Sequence, residues 1–457
     1  MAELTDAQKV VRNDTGIAIA EAINRVAGAI GRAGGVVYGF HIDNAESDPS
    51  EKVTYLADAV GMTPAYMNYT EGEFNYGSWE NAFFMPKPCM LKFDGTVDYY
   101  LDPNDYTKKA DGTASEVASS TTGNAMMEWG QNGKKIWYKI VPSGTKKSAD
   151  VYIADHQEDG DYHAWSFINK DGKLVDHFYT PIYNGSVDSS ERLRSLSGKS
   201  TLAGATTSTT NAAMAGYIAS CRTATQERTM AKANNATHEI WDTEVYCDIV
   251  LINLLLILMS KSTDSQTAFG QGLVSSGSQT VNDGFASGVH NTKGLFYGTN
   301  SGAAATPANA VKVFGMENWW GFQWRRFAGL VNVSGTAKYK MTKGTQDGST
   351  ASDYVVSATA ADYNSYIGAG SLPVASGTFV DAMQFDGNQF VPATVGGGST
   401  THYCDALWTN NGQVDYAFRG GASNGGASCG SFYLRLDIAV SAAGWDVTAA
   451  PSCKPLS

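Results

Sequence analysis

Short runs of aromatic and aliphatic residues alternate with small polar stretches over residues 403–455. Runs such as FYLRL at 432–436 recur as they do when strands bury one face. Between them lie stretches of Gly, Ala, Ser and Asn, such as GGASNGGAS at 420–428, with little to bury and many backbone groups to present. The pattern predicts variable-type surface loops at 415–450, carried by a rigid frame.

Two other regions have a periodicity of their own. Residues 35–145 carry repeated turn signals between aromatic runs, Asp94-Gly95 among them, which predicts a β-rich supporting domain. Residues 213–259 are predicted to be the main helical region. The run 249–259 is apolar nearly all round, which indicates a helix buried on most sides. It is too short to span a bilayer, so we expect no membrane insertion.

The N-terminal segment 1–34 has the pattern of a helix. Thr5 followed by Gln8 forms a capping-box pair. Apolar residues then recur at spacings of four, three and four, the seam of a short coiled coil: Ile19, Ile23, Val26 and Ile30. Two interpretations stay open, a helix lying against its own body and a docking or trimerising stem.

Charge and cysteine content limit the kinds of partner and site that we expect. The 33 Lys and Arg against 45 Asp and Glu give a net charge of −12, which repels phosphate backbones, so we expect no nucleic-acid partner. The six cysteines are scattered without CxxC spacing, and neither a zinc site nor a disulfide scaffold is predicted. The polar N-terminus lacks a signal peptide, which favours assembly in a cytoplasm.

Catalytic and metal-binding patterns are weak in this sequence. It has no HExxH and no phosphate-binding glycine loop followed by Lys-Ser/Thr. The acidic stretch 155–161 fails the EF-hand spacing, because Gln157 and Ser166 occupy positions three and twelve. We therefore predict no enzyme activity, no cofactor and no metal, and a solvated hairpin tip at 155–161.

The segments LWTNNGQVDYAFRGG at 407–421, CGSFYLRL at 429–436 and GWDV at 444–447 resemble the C-terminal C-type-lectin-like domain of phage receptor-binding proteins, including those diversified by retroelements. Many of the corresponding sites in such proteins are Asn, since adenine-rich codons are mutagenised. The resemblance implies ten ligand-binding positions: Ala422, Asn424, Gly425, Ser428, Arg435, Asp437, Ile438, Ala442, Gly444 and Asp446. Changing adenines in an Asn codon reaches every replacement, although ordinary drift in an exposed loop also yields small and polar residues.

The stretch GMENWWGFQW at 315–324 is similar to the GxENxxGNVWEW signature of the formylglycine-generating-enzyme branch of the same fold. In that branch the aromatic residues of this turn pack under the ligand-binding loops. The implied scaffold beneath the site is Trp319, Trp320, Trp324, Trp408, Phe432 and Trp445. The relatives also use a cysteine pair for copper and oxygen, but the spacing of Cys404, Cys429 and Cys453 is not that of a reactive pair, and buried thiols are expected.

The expected fold class is α+β, with a helical stem at 1–34, a β-rich unit at 35–145 and a C-type-lectin-like domain at 146–457. The resemblance implies a phage virion protein, a receptor-binding or tail-fibre adhesin that attaches the particle to a host cell-surface receptor, protein or glycan. The N-terminal helix would contact other virion proteins and form a homotrimer. The alternatives are a structural head-fibre or decoration protein and an oxidase similar to the formylglycine-generating enzymes.

Overall fold

The computed structural model describes residues 35–143, 148–275, 286–300, 306–344, 353–387 and 389–456. The helix predicted for 1–34 lies outside these residues. The first strands are β1 (Val37–Asp43), β2 (Val53–Ala57), β3 (Tyr66–Asn68), β4 (Glu73–Asn75), β5 (Lys87–Lys92), β6 (Val97–Asp102), β7 (Asp105–Lys109), β8 (Gly123–Trp129), β9 (Trp137–Ser143), β10 (Ser148–Ala154), β11 (Phe178–Pro181), β12 (Gly185–Val187), β13 (Leu193–Ser195) and β14 (Trp241–Thr243).

The remaining strands all follow the helical region. They are β15 (Lys312–Val313), β16 (Met316–Glu317), β17 (Trp324–Val333), β18 (Thr336–Tyr339), β19 (Ile367–Ser371), β20 (Ala375–Phe385), β21 (Phe390–Val395), β22 (Ala406–Thr409), β23 (Val414–Gly420), β24 (Gly430–Leu436), β25 (Val447–Thr448) and β26 (Pro451–Cys453). The helices are α1 (Asn211–Met214), α2 (Ala224–Lys232), α3 (Tyr246–Ser260) and α4 (Ser265–Phe269).

Two sheets join parts of the chain that are distant in sequence. A four-stranded sheet has the order β2-β1-β10-β9, and the predicted boundary at 145 falls between β9 and β10, which pair along their whole length. A seven-stranded sheet has the order β14-β26-β11-β8-β5-β6-β7, so the C-terminal strand β26 pairs with β11 and β14. Residues 35–145 and 146–457 therefore share sheets.

The largest sheet carries the C-terminal loops. Its order is β19-β18-β17-β23-β24-β22-β20-β21, and β25 pairs with β17 in parallel. Gln384 Nε2 of β20 donates to the carbonyl oxygen of Ser371 in β19 at 3.1 Å, so the sheet is nearly closed, like a barrel. The register of β17 against β23 shifts between Arg326 and Val331. Gly329 lies in this bulge with φ +94°, and a Cβ there would meet the Lys340 carbonyl oxygen at 2.7 Å.

Helix α3 lies in the main core. Its residues 246–259 are all buried, as its apolar sequence predicts. Its polar Asn253 has two partners: its Nδ2 donates to the Ser431 carbonyl at 2.8 Å, and its Oδ1 accepts from Trp319 Nε1 at 3.3 Å. Among the described residues, no helix combines the length and the apolar character needed to cross a membrane.

The predicted fold class, α+β with a C-type-lectin-like domain, is wrong. The protein is mainly β, with 37% strand and 12% helix, and the described residues hold four helices. The predicted helical region 213–259 contains the strand β14 and loops, and α3 is its one long helix. Short strands built from Gly-, Ser- and Thr-rich stretches lack strong periodicity, so their number is underestimated from the sequence.

Candidate binding surface

The ten predicted positions lie in two loops and at the end of β24. One loop, 421–429, joins β23 to β24, and the other, 437–446, follows β24. We call residues 422–428 and 435–446 the display surface. Asn424 is exposed and Ala422 is buried, with 1% of its surface exposed. The others are half-buried: Gly425, Ser428, Arg435, Asp437, Ile438, Ala442, Gly444 and Asp446.

The backbone of loop 437–446 is held by groups outside the loop. Its carbonyl oxygens accept hydrogen bonds all along its length. The pairs are Asp437 with Asn410 Nδ2 (3.2 Å), Ile438 with Tyr416 N (3.2 Å), Val440 with Ala224 N (3.4 Å), Ala442 with Arg326 Nη2 (2.5 Å), Gly444 with Cys221 N (2.8 Å), Trp445 with Gln323 Nε2 (2.5 Å) and Asp446 with Trp324 N (2.7 Å). The rest of the protein therefore fixes this loop through the main-chain carbonyl oxygens of the loop. The outward-facing side chains of the loop take no part in these hydrogen bonds.

Aromatic rings form a platform beneath Arg435. The Trp324 and Tyr433 ring centroids lie 4.7 Å apart, and Trp408 Nε1 donates to Tyr433 Oη at 2.7 Å. The Arg435 guanidinium carbon lies 5.6 Å from the Trp324 ring and 5.5 Å from the Trp408 ring, within cation–π range of both. Arg435 is thereby held in one place on the surface.

Charges are distributed unevenly around this platform. Arg435 Nε donates to Asp437 Oδ1 at 2.9 Å, and within the described residues its Nη1 and Nη2 donate to no protein acceptor. Burial, together with the negative charge of Asp437, raises the pKa of Asp415 to about 6. Burial also raises the pKa of Asp446. The display surface thus offers a guanidinium with free donors beside Asp437, and Asp415 lies buried beneath it.

Loop 421–429 is packed around Cys429. The Cys429 thiol donates to the Ala422 carbonyl oxygen at 3.4 Å, and a Cβ on Gly425 would lie 2.4 Å from the Cys429 sulfur. Ala422 was predicted to contact ligand, but its burial makes it part of this packing. Gly425 has no room for a side chain unless Cys429 moves. Of the other predicted positions in this loop, Asn424 is exposed and Ser428 is half-buried.

The predicted scaffold residues lie under or beside the display surface. Trp319, Trp320 and Trp324 are between 0% and 6% exposed and pack in the main core. Trp320 Nε1 donates to the Gly270 carbonyl at 3.0 Å. Phe432 is buried, while Trp408 and Trp445 are half-buried.

Buried ion pairs beneath the surface escape the sequence analysis. Arg326 Nη1 donates to Glu227 Oε2 at 2.8 Å, and burial raises the pKa of Glu227 to about 7 even beside this guanidinium. Glu244 Oε1 accepts from Arg419 Nη2 at 2.6 Å and from Arg325 Nη1 at 3.3 Å. The carboxylate partners of Arg325 and Arg326 lie far away in the sequence, so no local spacing points to these pairs.

The six cysteines are all buried and unpaired. Burial raises the pKa of Cys404 and of Cys429, so both are protonated thiols at neutral pH. Throughout the described ranges, no group of three or more His, Cys, Asp or Glu residues is placed to hold a metal ion.

No protein-family model matches this chain, and no curated protein is significantly similar to it. The grounds for a functional proposal are therefore the geometry of the display surface and the resemblance of segments within 407–447 to phage receptor-binding proteins.

Proposed function

We propose that this chain is a receptor-binding adhesin of a bacteriophage virion, attaching the particle to a host cell-surface receptor through the display surface. One observation carries the proposal: the backbone of 437–446 is fixed by frame atoms, while most of its side chains remain partly exposed. Such an arrangement lets side chains change without altering the loop, which suits a protein that must follow a changing receptor. The sequence resemblance supplies the phage context.

The chemistry of the surface favours a compact contact centre. Arg435 sits between two tryptophan rings with its Nη donors free, and Arg and Trp are the residue types enriched where interfaces gain most of their affinity. Ile438, half-buried, adds apolar area to the display surface. A single copy of so small a surface binds weakly, and a homotrimer on one particle would raise the effective affinity through avidity.

Retroelement diversification is part of the proposal for the positions whose side chains can vary. Asn424, Ser428 and the half-buried positions of 435–446 face solvent at least in part. Ala422 and Gly425 are limited to small residues by the packing around Cys429. Variants of this protein should therefore differ widely at the first group and little at these two.

The direct test is binding of the fluorescently labelled full chain to a panel of bacterial strains. The variant combining Arg435→Ala, Asp437→Ala and Ile438→Ala should lose binding while its melting temperature stays nearly unchanged. A matched control combines Lys170→Ala, Asp171→Ala and Leu174→Ala, which removes a cation, a carboxylate and an aliphatic group from another exposed loop. The control should bind like the parent. Equal binding by the display-surface variant, or no binding to any strain, would count against the adhesin.

A second experiment separates an adhesin from a head-fibre or decoration protein. Asn424→Cys places one exposed thiol on the display surface of a chain whose own cysteines are buried. An adhesin leaves this thiol accessible to a maleimide dye in the assembled particle. Protection of Cys at this position in the particle, with labelling of the free protein, would show that the surface contacts a neighbouring virion protein instead.

A further inference from the structure

A groove of about 440 Å³ lies outside the display surface, between the hairpin β12–β13 and the segment 118–121. Its volume is within the range of small-molecule sites. Hydroxyl groups of Ser119, Thr121 and Ser189 line it, and Ala215 and Gly216 form an apolar wall. The groove therefore combines hydrogen-bonding groups with a small apolar face.

A buried arginine, Arg194, lines the groove. Arg194 Nε donates to Asn124 Oδ1 at 3.0 Å, its Nη1 donates to Asp188 Oδ2 at 2.7 Å, and its Nη2 donates to the carbonyls of Ser120 and Gly123 at 3.0 and 2.7 Å. Its side chain is 2% exposed. Arg194 thus contributes a fixed positive charge to the groove and uses most of its donors within the protein.

Two other cationic side chains line the groove, Arg192 and Lys199. Arg192 uses Nε on Asp188 Oδ2 at 2.8 Å, and its guanidinium carbon lies 4.3 Å from the Phe93 ring, which holds it in place. Within the described residues, Arg192 Nη1 and Nη2 and Lys199 Nζ have no protein acceptor. These donors are available to a molecule in the groove.

The charge of the groove is opposite to that of the chain. Arg192, Arg194 and Lys199 line it against a single carboxylate, Asp188, whereas the whole chain carries −12. Burial and the nearby charge of Arg194 lower the pKa of Lys199. Asp188 pairs with Arg192 and Arg194 but is one carboxylate for three cations, and Lys199 forms no ion pair among the described residues, so a bound anion would offset the remaining repulsion.

We propose that this groove binds a small hydroxylated molecule through an anionic group, carboxylate or phosphate, of the kind carried by acidic sugars and sugar phosphates. Arg192 and Lys199 donate to the anionic oxygens, since guanidinium and ammonium groups form their strongest hydrogen bonds with such acceptors. The hydroxyl side chains contact the hydroxyls of the ligand. The site is independent of the display surface and would hold for this chain whatever the display surface binds.

The test is calorimetric titration of the full chain with glucuronic acid, glucose 6-phosphate, inorganic phosphate and glucose. The proposal expects binding of glucuronic acid, glucose 6-phosphate or both, and none of glucose. If only one of these two compounds binds, the result shows whether the groove recognises a carboxylate or a phosphate. Response to inorganic phosphate equal to that of glucose 6-phosphate contradicts a site for the sugar body, and no response to either sugar acid overturns the proposal.

Variants assign the binding to the groove. Arg192→Gln and Lys199→Gln should each weaken binding about tenfold with unchanged melting temperature, because each removes a charge-assisted hydrogen bond. Lys170→Gln removes a lysine outside the groove and should bind like the parent. Arg435→Ala should also bind these probes normally, which separates this site from the proposed adhesin site. Unchanged affinity in both groove variants would place the probe elsewhere and contradict the inference.

Discussion

Arg326 shows how one buried residue supports an exposed loop. Its side chain is 2% exposed, and it holds the Ala442 carbonyl while pairing with the fully buried Glu227. Arg326→Met leaves the buried Glu227 carboxyl without this partner and the Ala442 carbonyl without this donor, so it should lower the free energy of unfolding by about 3–5 kcal/mol. Urea denaturation of parent and variant measures the difference.

The control for this prediction is the double variant Arg326→Met with Glu227→Met. Apolar replacement of both partners removes the stranded carboxyl group, so part of the lost stability should return. A single variant as stable as the parent would show that the pair does not hold the loop.

Asp415 gives a prediction for pH. Its pKa is about 6 in the folded chain, against about 4 for an unperturbed aspartate. The folded chain therefore keeps the proton that the unfolded chain releases, and the contribution to stability is complete below about pH 4 and is lost as pH rises through 6. Asp415→Asn stays neutral throughout. Its unfolding free energy relative to the parent should rise from pH 4.5 to pH 7, and an equal difference at both pH values would contradict the assignment.

At the scale of single residues, the sequence predicted the burial of large apolar side chains better than it predicted which groups a residue contacts. Burial of the three tryptophans at 319, 320 and 324 followed from their apolar character. The burial of Ala422 did not follow from the sequence, because a small residue in a Gly-rich loop can either pack or face solvent. Cys429, against which Ala422 packs, becomes its neighbour only after folding. Arg325 pairs with Glu244, the residue after β14. Arg326 pairs with Glu227 of α2, which is 99 residues earlier in the chain.

Loop 437–446 is the element on which the proposed function depends. Since its carbonyls are held from outside, Asp437→Ala with Asp446→Ala should change the free energy of unfolding by less than about 1 kcal/mol. Trp445→Ala should cost about 2 kcal/mol or more, because Trp445 packs against two apolar clusters, one with Ala449 and one with Phe322. Chemical denaturation of the two variants measures the contrast, and similar losses in both would indicate that the outward side chains also hold the loop.

Helix α3 provides the corresponding prediction for the core. Leu255 is 0% exposed in a helix buried on all sides. Leu255→Ala should therefore cost about 2–5 kcal/mol, the range for a buried leucine whose cavity only partly closes. Ser260→Ala, at the half-buried end of the same helix, is the matched control and should cost much less.

Elements defined by local signals were predicted well. The apolar run 249–259 is inside α3, and the Asp94-Gly95 turn joins β5 to β6, which pair as a hairpin. Elements that depend on distant partners were not. β25 and β26 are two and three residues long, and their strand character comes from β17, β11 and β14 rather than from their own sequence.

The whole molecule is joined by its C-terminal strand. Because β26 pairs with β11 and β14 in the seven-stranded sheet, deleting residues 447–457 should remove the cooperative unfolding transition of the entire chain, including the sheet that contains β5 and β8. Tryptophan fluorescence during guanidinium denaturation measures this. A truncated chain that still unfolds cooperatively at the parent midpoint would show that the N-terminal sheets fold alone.

Domain organisation is the property that local sequence patterns describe least. Composition and turn signals suggested a division at 145, yet β9 pairs with β10 across it. Long-range strand pairing is decided by which apolar faces meet after collapse, and no local spacing records it. For this reason tests of the display surface require the full chain and not its C-terminal part.

The central claim is that a fixed backbone presents replaceable side chains. The most direct measurement is the melting temperature of clones in which the outward positions are randomised together: Asn424, Ser428, Arg435, Asp437, Ile438, Ala442, Gly444 and Asp446. Most clones should melt within about 5 °C of the parent, since the substitutions leave the carbonyl anchors and buried pairs in place. A collection in which most clones fail to fold would contradict the claim.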